Sequence, residues 1–212
     1  MAHRPRPFTR EETTVFLAFA DDVMSRPPAR PYIERNDGRG RLVLRFALPL
    51  ALLRTEDCGR RGVHAWQLTQ ARSAVLSAMA GQMCDQLRGP DGRIATQISS
   101  CPNGRGVLPV WPAPLTGRPQ VRAVRFSSVA PDHSSGWQKM ALDCLLMPRM
   151  HAGRRTAALG VLADDRPSLL EVRDWWEAAP KGQGGALIEV WSGTEAHNGS
   201  AEPSLPRQES SG

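Results

Sequence analysis

An alternating run of apolar residues between positions 42 and 50 constrains the fold more than any other stretch of this sequence. Leucine or phenylalanine occupies every second position of Leu42–Leu50, and Val43, Arg45, Ala47 and Pro49 lie between them. Successive side chains of a strand point to opposite faces of a sheet, so this alternation predicts a β-strand with one buried face. Proline lacks a backbone donor, which predicts that the strand ends near position 49 or lies at a sheet edge.

Helical and strand patterns alternate along the rest of the chain. Thr9 and Glu12 form a capping box, and an amphipathic helical pattern follows it to about Arg26. Apolar periodicity predicts a long helix over Val63–Leu87. The segment Arg88–Gln120 is rich in Gly and Pro and has room for a short hairpin within a long loop. Further strands are predicted at Ile94–Ile98, Val107–Trp111 and Val121–Val129.

The mixture of helices and strands predicts an α/β or α+β domain. With 212 residues, the chain is long enough for one domain with a full hydrophobic core and extensions. Composition divides it into a basic tail, helix and Pro-rich linker (1–31), a central domain (32–192) and a polar tail (193–212). We expect residues 1–8 and 193–212 to be disordered, because they are too polar to form a core.

The net charge of +6 favours a polyanionic partner, because phosphate contacts release bound counterions. Arginine is far more frequent than lysine, and Arg149, Arg154 and Arg155 form a dense basic cluster. The guanidinium fork suits phosphate oxygens, so these arginines are candidate contacts to DNA. The alternative is that a GC-rich genome has enriched the sequence in Arg, Ala, Gly and Pro.

The four cysteines form no Cys-x-x-Cys pair and no zinc-finger spacing. Cys84 and Cys144 fall in helical apolar patterns and are predicted core residues, and a reducing cytoplasm fits this usage best. No apolar run reaches the roughly 20 residues that a membrane span requires, and the N-terminus lacks a hydrophobic signal core. We therefore expect a cytoplasmic protein without a membrane segment.

A helix is predicted in the middle of the stretch Pro131–Asp165. Ser134 or Ser135 can cap it, because a hydroxyl accepts a hydrogen bond from a free N–H of the first turn. Lys139 and Asp143 are four residues apart, so they lie side by side on one face of this helix. The buried face is predicted to consist of Trp137, Met140, Ala141, Cys144 and Leu145.

Carboxylates stand on both sides of this helix, with Asp132 before it and the pair Asp164 and Asp165 after it. If the apolar segment Leu159–Leu162 packs beside the start of the helix, the carboxylates meet across a short gap. Mg²⁺ and Mn²⁺ favour oxygen ligands, and Lys139 would then position a scissile phosphate or the attacking water. The alternative is that the two adjacent aspartates only begin a surface turn.

From Asp132 through Trp191, the order of these motifs resembles the RusA-type Holliday-junction resolvase family. The positions that match the family pattern are Lys139, Asp143, Gly160, Asp164, Asp165 and the turn Pro180, Lys181 and Gly182. The resemblance places two further strands at Leu169–Glu177 and Ala186–Trp191. It implies a single mixed sheet of about four strands with helices packed on it. The N-terminal helix is an addition to that architecture.

The chain departs from the family in the upstream motif Asp-x-Asp-Asn, where His133, Ser135 and Gly136 take the place of the acidic and amide residues. A shift of the loop by one residue lets Asp132 serve as the upstream ligand. The resemblance then implies that Asp132, Lys139, Asp164 and Asp165 are catalytic. It implies a Mg²⁺ or Mn²⁺ ion held by Asp132, Asp143, Asp164 and Asp165. It also implies DNA contacts from Arg54, Arg60 and Arg61, although a polar loop around position 60 is equally consistent with simple solvation. Arg154 and Arg155 lie in an insert, Met147–Ala158, that departs from the family pattern. They are candidate DNA contacts because of their guanidinium forks.

The sequence therefore supports three functions of different classes. The first is a metal-dependent, homodimeric endonuclease that resolves branched DNA by phosphodiester hydrolysis. The second is a RusA-like module that binds DNA or a protein without cutting, because its upstream motif has lost carboxylates. The third is a structural protein in which the acidic pair is only a turn.

Overall fold

The computed structural model describes residues 9–26, 41–52, 65–88, 90, 97–100, 107–131, 138–151 and 154–193. Apart from Gly193, the two tails predicted to be disordered lie outside these ranges. The helices are α1 (Arg10–Ser25), α2 (Ala65–Gln86) and α3 (Lys139–Leu145), and a 3-10 turn spans Leu50–Leu52. The strands are β1 (Leu42–Leu48), β2 (Gln97–Ser100), β3 (Val107–Val110), β4 (Gln120–Ser127), β5 (Met150–His151), β6 (Arg154–Arg155), β7 (Glu171–Ala178) and β8 (Gly185–Trp191).

A four-stranded mixed sheet with the order β1-β8-β4-β7 forms the centre of the protein. β8 pairs antiparallel with both β1 and β4, and β7 pairs parallel with β4. Every residue of β8 is buried, as the middle of a sheet covered on both faces requires. Helices pack on this sheet, so the predicted α/β class with a single mixed sheet and an added N-terminal helix is confirmed.

Both faces of β1 are buried, so the prediction of one buried face was wrong. Alternate residues such as Phe46 pack in the larger core with α2 and α3, whereas Ala47 packs in a second cluster with Val23 and Phe19 of α1. The alternation in the sequence arises because one face of β1 carries leucine and phenylalanine, whereas the other carries the small Ala47 and the ion-paired Arg45. The tertiary position of α1 covers the side that the sequence left less apolar. The prediction from Pro49 is confirmed, since β1 ends at Leu48 and forms a sheet edge.

Two glutamines of α2 pair with the open edge of β1. The side-chain amide of Gln82 donates to the carbonyl of Ala47 and accepts its N–H, each at 2.8 Å. Gln86 makes the same pair of contacts with the backbone of Arg45. An unpaired strand edge leaves backbone groups that favour edge-to-edge association, and these amides occupy them as a neighbouring strand would.

A buried arginine ties α1 to the sheet. The Arg45 guanidinium donates to the carbonyls of Val23, Met24 and Arg26, which lie where α1 ends. The last carbonyls of a helix have no partner inside the helix, so these contacts satisfy them. At the other end of α1, the capping box is confirmed: Thr9 Oγ1 accepts the N–H of Glu12 at 3.1 Å.

α3 is shorter than the sequence pattern predicted. It begins at Lys139 with Gln138 as its N-cap, and the Gln138 side chain makes no capping hydrogen bond. The predicted caps, Ser134 and Ser135, lie outside the described residues. Its apolar residues Met140, Ala141, Cys144 and Leu145 are buried as predicted, whereas Trp137 lies outside the described residues.

The segment before the acidic pair packs beside the end of α3, not its start. The N–H of Leu159 donates to the carbonyl of Cys144, and Leu162 forms an isolated parallel bridge with Leu146. Gly160 adopts a positive φ of 75° in this segment, where a Cβ would lie 3.2 Å from a methyl carbon of Val110. This pairing holds the chain beside α3 and fixes where the following aspartates emerge.

Both tryptophans of β7 are partly exposed, because β7 is the other edge of the sheet, and Trp175 packs against the second hydrophobic cluster. Trp175 is half-buried and lies under the Arg122 guanidinium, 4.3 Å from its ring centre. Trp176 is 37 % exposed, and its indole N–H donates to the carbonyl of Ser127. Among the described helices, none is long and apolar enough to cross a membrane.

Candidate active site

The predicted residues Lys139, Asp143 and Asp165 meet in space. Lys139 Nζ lies 2.7 Å from Asp165 Oδ2 and 3.0 Å from Asp143 Oδ1. Lys139 and Asp143 face each other because they are one helical turn apart on α3. Asp165 is 26 positions from Lys139 in the sequence. The pairing of residues 159–162 with the end of α3 brings it back to this helix.

Asp164 lies beside this group and is held by two arginines. Arg149 Nη2 is 3.1 Å from Asp164 Oδ1, and Arg166 Nε is 2.9 Å from Asp164 Oδ2. Asp164 Oδ1 also accepts the backbone N–H of Asp165 at 2.7 Å. Arg149 Nη2 lies 3.8 Å from Asp165 Oδ1 as well, so it joins the two aspartates.

These contacts shift the acid–base properties of two groups. Loss of solvent raises the pKa of Asp164, but the hydrogen bonds from the Asp165 backbone and from Arg166 outweigh it and lower the pKa to about 2. The hydrogen bond to Asp165 raises the pKa of Lys139 above its ordinary value, against a smaller lowering by desolvation and with further support from Asp143. Both groups are therefore charged at neutral pH.

The patch is open to solvent. The side chain of Lys139 is 57 % exposed, and that of Arg149 is 51 % exposed. Ion pairs at such exposure contribute little to stability, typically less than about 1 kcal/mol each. These exposed pairs therefore each contribute little to the stability of the fold, and the cations can exchange partners at low cost.

The described carboxylates do not by themselves form a metal site. Among the side chains that the structure describes, no group of at least three acidic, histidine or cysteine residues is arranged to hold a metal ion. The carboxylates of Asp143 and Asp165 form ion pairs with Lys139, and that of Asp164 forms ion pairs with Arg149 and Arg166. Mg²⁺ needs carboxylate oxygens that are free to face it, together with several waters. A metal ion would therefore require another carboxylate and the departure of Lys139.

Several predicted site residues lie beyond what the structure describes. Asp132, the predicted upstream ligand, is outside the described residues, as are Arg54, Arg60 and Arg61. Arg154 and Arg155 form β6, and their side chains are likewise outside the described part. Their predicted roles stay predictions.

Sequence reasoning named Arg149 only as a candidate DNA contact, and it did not place Arg149 or Arg166 beside the acidic pair, which both contact. The only signals were the density of arginines in the insert and the position of Arg166 directly after Asp165. Neither signal identifies a partner, because the contact between Arg149 and Asp164 depends on how the segment after α3 turns back.

A separate open groove of about 520 Å³ lies on the face of the sheet that α1 covers. Its lining includes Phe19, Arg26, Phe126 and Glu177. Arg26 fills part of it, since the guanidinium is 5.5 Å from the centre of the Phe126 ring and 3.8 Å from the Glu177 carboxylate. Of the predicted catalytic residues that the structure describes, Lys139, Asp164 and Asp165, none lines this groove.

Comparison with protein-family models, with curated proteins and with solved structures finds no match to this chain. The similarity to the RusA-type family therefore rests on the residues and their order alone.

Proposed function

We propose that this protein is a RusA-type, metal-dependent endonuclease that acts on branched DNA. The observation that supports the proposal best is the approach of Lys139 to Asp165 across 26 positions of sequence. Both residues, with Asp143 and Asp164, stand at positions of the family pattern, and all four are gathered in one exposed patch. A surface turn alone would not require the acidic pair to meet the lysine of a distant helix.

In this proposal, Lys139 binds a non-bridging oxygen of the scissile phosphate. Its pKa is raised by Asp165, so its ammonium keeps its charge at the pH of the cell. Without a metal ion, Asp143 and Asp165 hold the ammonium from two sides. They would release it to the phosphate when their oxygens hold the ion. The Mg²⁺ or Mn²⁺ ion of the proposal needs Asp132 as a further ligand, because the described carboxylates alone do not make a metal site.

The second candidate function is a module that binds nucleic acid without cutting it. The observation that favours it is the pairing of Asp143, Asp164 and Asp165 with cationic side chains. A lost upstream motif and neutralised carboxylates would leave a surface that recognises phosphates but does not activate water. Both candidates share the DNA contacts proposed for Arg54, Arg60, Arg61, Arg154 and Arg155.

A cleavage assay separates the two candidates. The full chain is incubated with a labelled synthetic four-way junction and Mg²⁺ or Mn²⁺, beside the variants Asp165→Asn and Asp174→Asn. Asp174 is an exposed carboxylate on β7 and serves as the matched control. Nicking that requires the metal, is lost in Asp165→Asn and is kept in Asp174→Asn supports the endonuclease. Salt-sensitive junction binding without nicking in either metal supports the binding module, and no binding at low salt refutes both.

The homodimer and the cytoplasmic location are further parts of the proposal. Two copies would present two cleavage sites to the paired strands of a junction. Sedimentation of the full chain, with and without junction DNA, measures the assembly directly, and a monomer in both conditions would contradict the dimer.

A further inference from the structure

Arg149 is mounted rigidly at the point where the insert leaves the site. Its N–H donates to Thr156 Oγ1 at 3.0 Å, and its carbonyl accepts both the Thr156 hydroxyl at 3.0 Å and the Thr156 N–H at 2.8 Å. These contacts close the base of the β5–β6 hairpin. The backbone of Arg149 is therefore held by one residue through three hydrogen bonds, which fixes the origin of its side chain.

Part of the Arg149 guanidinium is available to donate further hydrogen bonds. Only Nη2 is engaged by the acidic pair, at 3.1 Å from Asp164 and 3.8 Å from Asp165. Within the part of the chain that the structure describes, Nε and Nη1 make no hydrogen bond to another residue. The side chain is 51 % exposed, so these donors can reach a ligand from solvent. A guanidinium binds phosphate oxygens through parallel N–H groups, which a single carboxylate contact does not use.

Asp164 does not need Arg149 for its charge to be balanced. Arg166 Nε already lies 2.9 Å from its other oxygen, and the backbone N–H of Asp165 adds a third hydrogen bond. The described patch carries three carboxylates, of Asp143, Asp164 and Asp165, and three cations, of Lys139, Arg149 and Arg166. An arriving phosphate can therefore share Arg149 without leaving Asp164 unpaired.

The hairpin that starts at Arg149 carries the rest of the basic cluster. In its register, Met150 pairs with Arg155 and His151 pairs with Arg154. Two further arginines therefore belong to the hairpin that begins at Arg149, the residue that contacts the acidic pair.

We propose that Arg149 is a phosphate-binding residue that places a nucleic-acid backbone against the Lys139–Asp165 pair. This rests on the proposed function only in that the ligand is DNA; it does not require cleavage. It also gives the insert a function, because the insert positions Arg149 beside the acidic pair.

The test is a salt titration of DNA binding. The full chain, Arg149→Gln and Arg173→Gln are titrated against a labelled four-way junction in EDTA, so that cleavage does not interfere. Arg173 is the matched control, since it is 48 % exposed and pairs with one carboxylate, Glu171, at the surface. Each phosphate contact contributes about 0.9 to the slope of log affinity against log salt, which corresponds to roughly tenfold in affinity near 0.1 M salt.

We expect Arg149→Gln to lower both the slope and the affinity by about these amounts, whereas Arg173→Gln changes neither. If the wild type binds and Arg149→Gln matches it in slope and affinity, the inference is overturned while the proposed function stands. If the wild type shows no salt-sensitive binding, the DNA-binding function fails and the inference fails with it. Arg149→Ala repeats the measurement if the glutamine variant does not fold, because either change leaves the backbone contacts of Thr156 in place.

Discussion

Arg45 and Glu189 face each other inside the sheet, on neighbouring strands, with Nε and Oε1 3.1 Å apart. The two side chains are almost fully buried, and their atoms are close without the alignment of a hydrogen bond. The other oxygen of Glu189 lies 3.3 Å from Nη1 of Arg122 on β4. One buried carboxylate therefore lies between two buried guanidiniums as their shared counter-charge, and one of these, that of Arg45, holds the end of α1.

Glu189→Gln is expected to destabilise the fold by about 3 kcal/mol, because it leaves two buried cations without their counter-charge. Urea unfolding followed by tryptophan fluorescence measures the change. Glu171→Gln is the control, since Glu171 pairs with Arg173 at the surface and its loss should cost less than about 1 kcal/mol. Equal unfolding midpoints for the two variants would contradict the importance of the buried pair.

Substitution by alanine is expected to have opposite effects on stability at Gly160 and at Gly81. Gly160→Ala forces a side chain into a positive φ of 75° and brings its Cβ to 3.2 Å from Val110, so it should cost about 1–2 kcal/mol. Gly81 lies within α2 with nothing within 4 Å of an added Cβ, so Gly81→Ala should stabilise by about 0.5–1 kcal/mol. Thermal unfolding of both variants checks the signs, and a destabilised Gly81→Ala would show that the α2 surface is occupied.

The lowered pKa of Asp164 predicts an acid dependence of stability. Its carboxylate is favoured in the folded state, so its contribution is complete above about pH 4 and is lost as the pH falls towards its folded pKa of about 2. Asp164→Asn should therefore be less stable than the wild type at pH 7, and the difference should shrink between about pH 4 and pH 2. Urea midpoints across this range measure it.

Asp174→Asn provides the comparison for that acid titration, since Asp174 is exposed on β7. We expect its difference from the wild type to stay small throughout. A gap between wild type and Asp164→Asn that persists unchanged at pH 2 would mean that the carboxylate charge is not what stabilises the folded state.

Most elements of secondary structure could be predicted from local patterns. The capping box of Thr9, the long α2 helix and the strand at position 42 were predicted to within a few residues. These signals are local, because capping bonds and apolar periodicity depend on residues a few positions apart. The prediction started α3 too early, since it placed the cap at Ser134 or Ser135 and the helix begins at Lys139.

The candidate site was predicted only in part. The helical pair of Lys139 and Asp143 follows from spacing alone, and it is confirmed. The approach of Asp165 depended on where the segment 159–162 packs, and it packs beside the end of α3 and not beside its start. The contact of Arg149 with Asp164 was missed for the same reason, because the two residues lie across a hairpin that no local pattern describes.

The sequence by itself determined which residues form helices and strands, and which side chains of α3 face each other, since those relations repeat with the period of the backbone. The tertiary structure alone decided that α1 covers the second face of β1, that Glu189 is shared between Arg45 and Arg122, and that Asp165 meets Lys139. These are contacts between distant parts of the chain, and their free energy comes from burial and from charge pairing. Both depend on where whole elements pack and not on the spacing of residues along the chain.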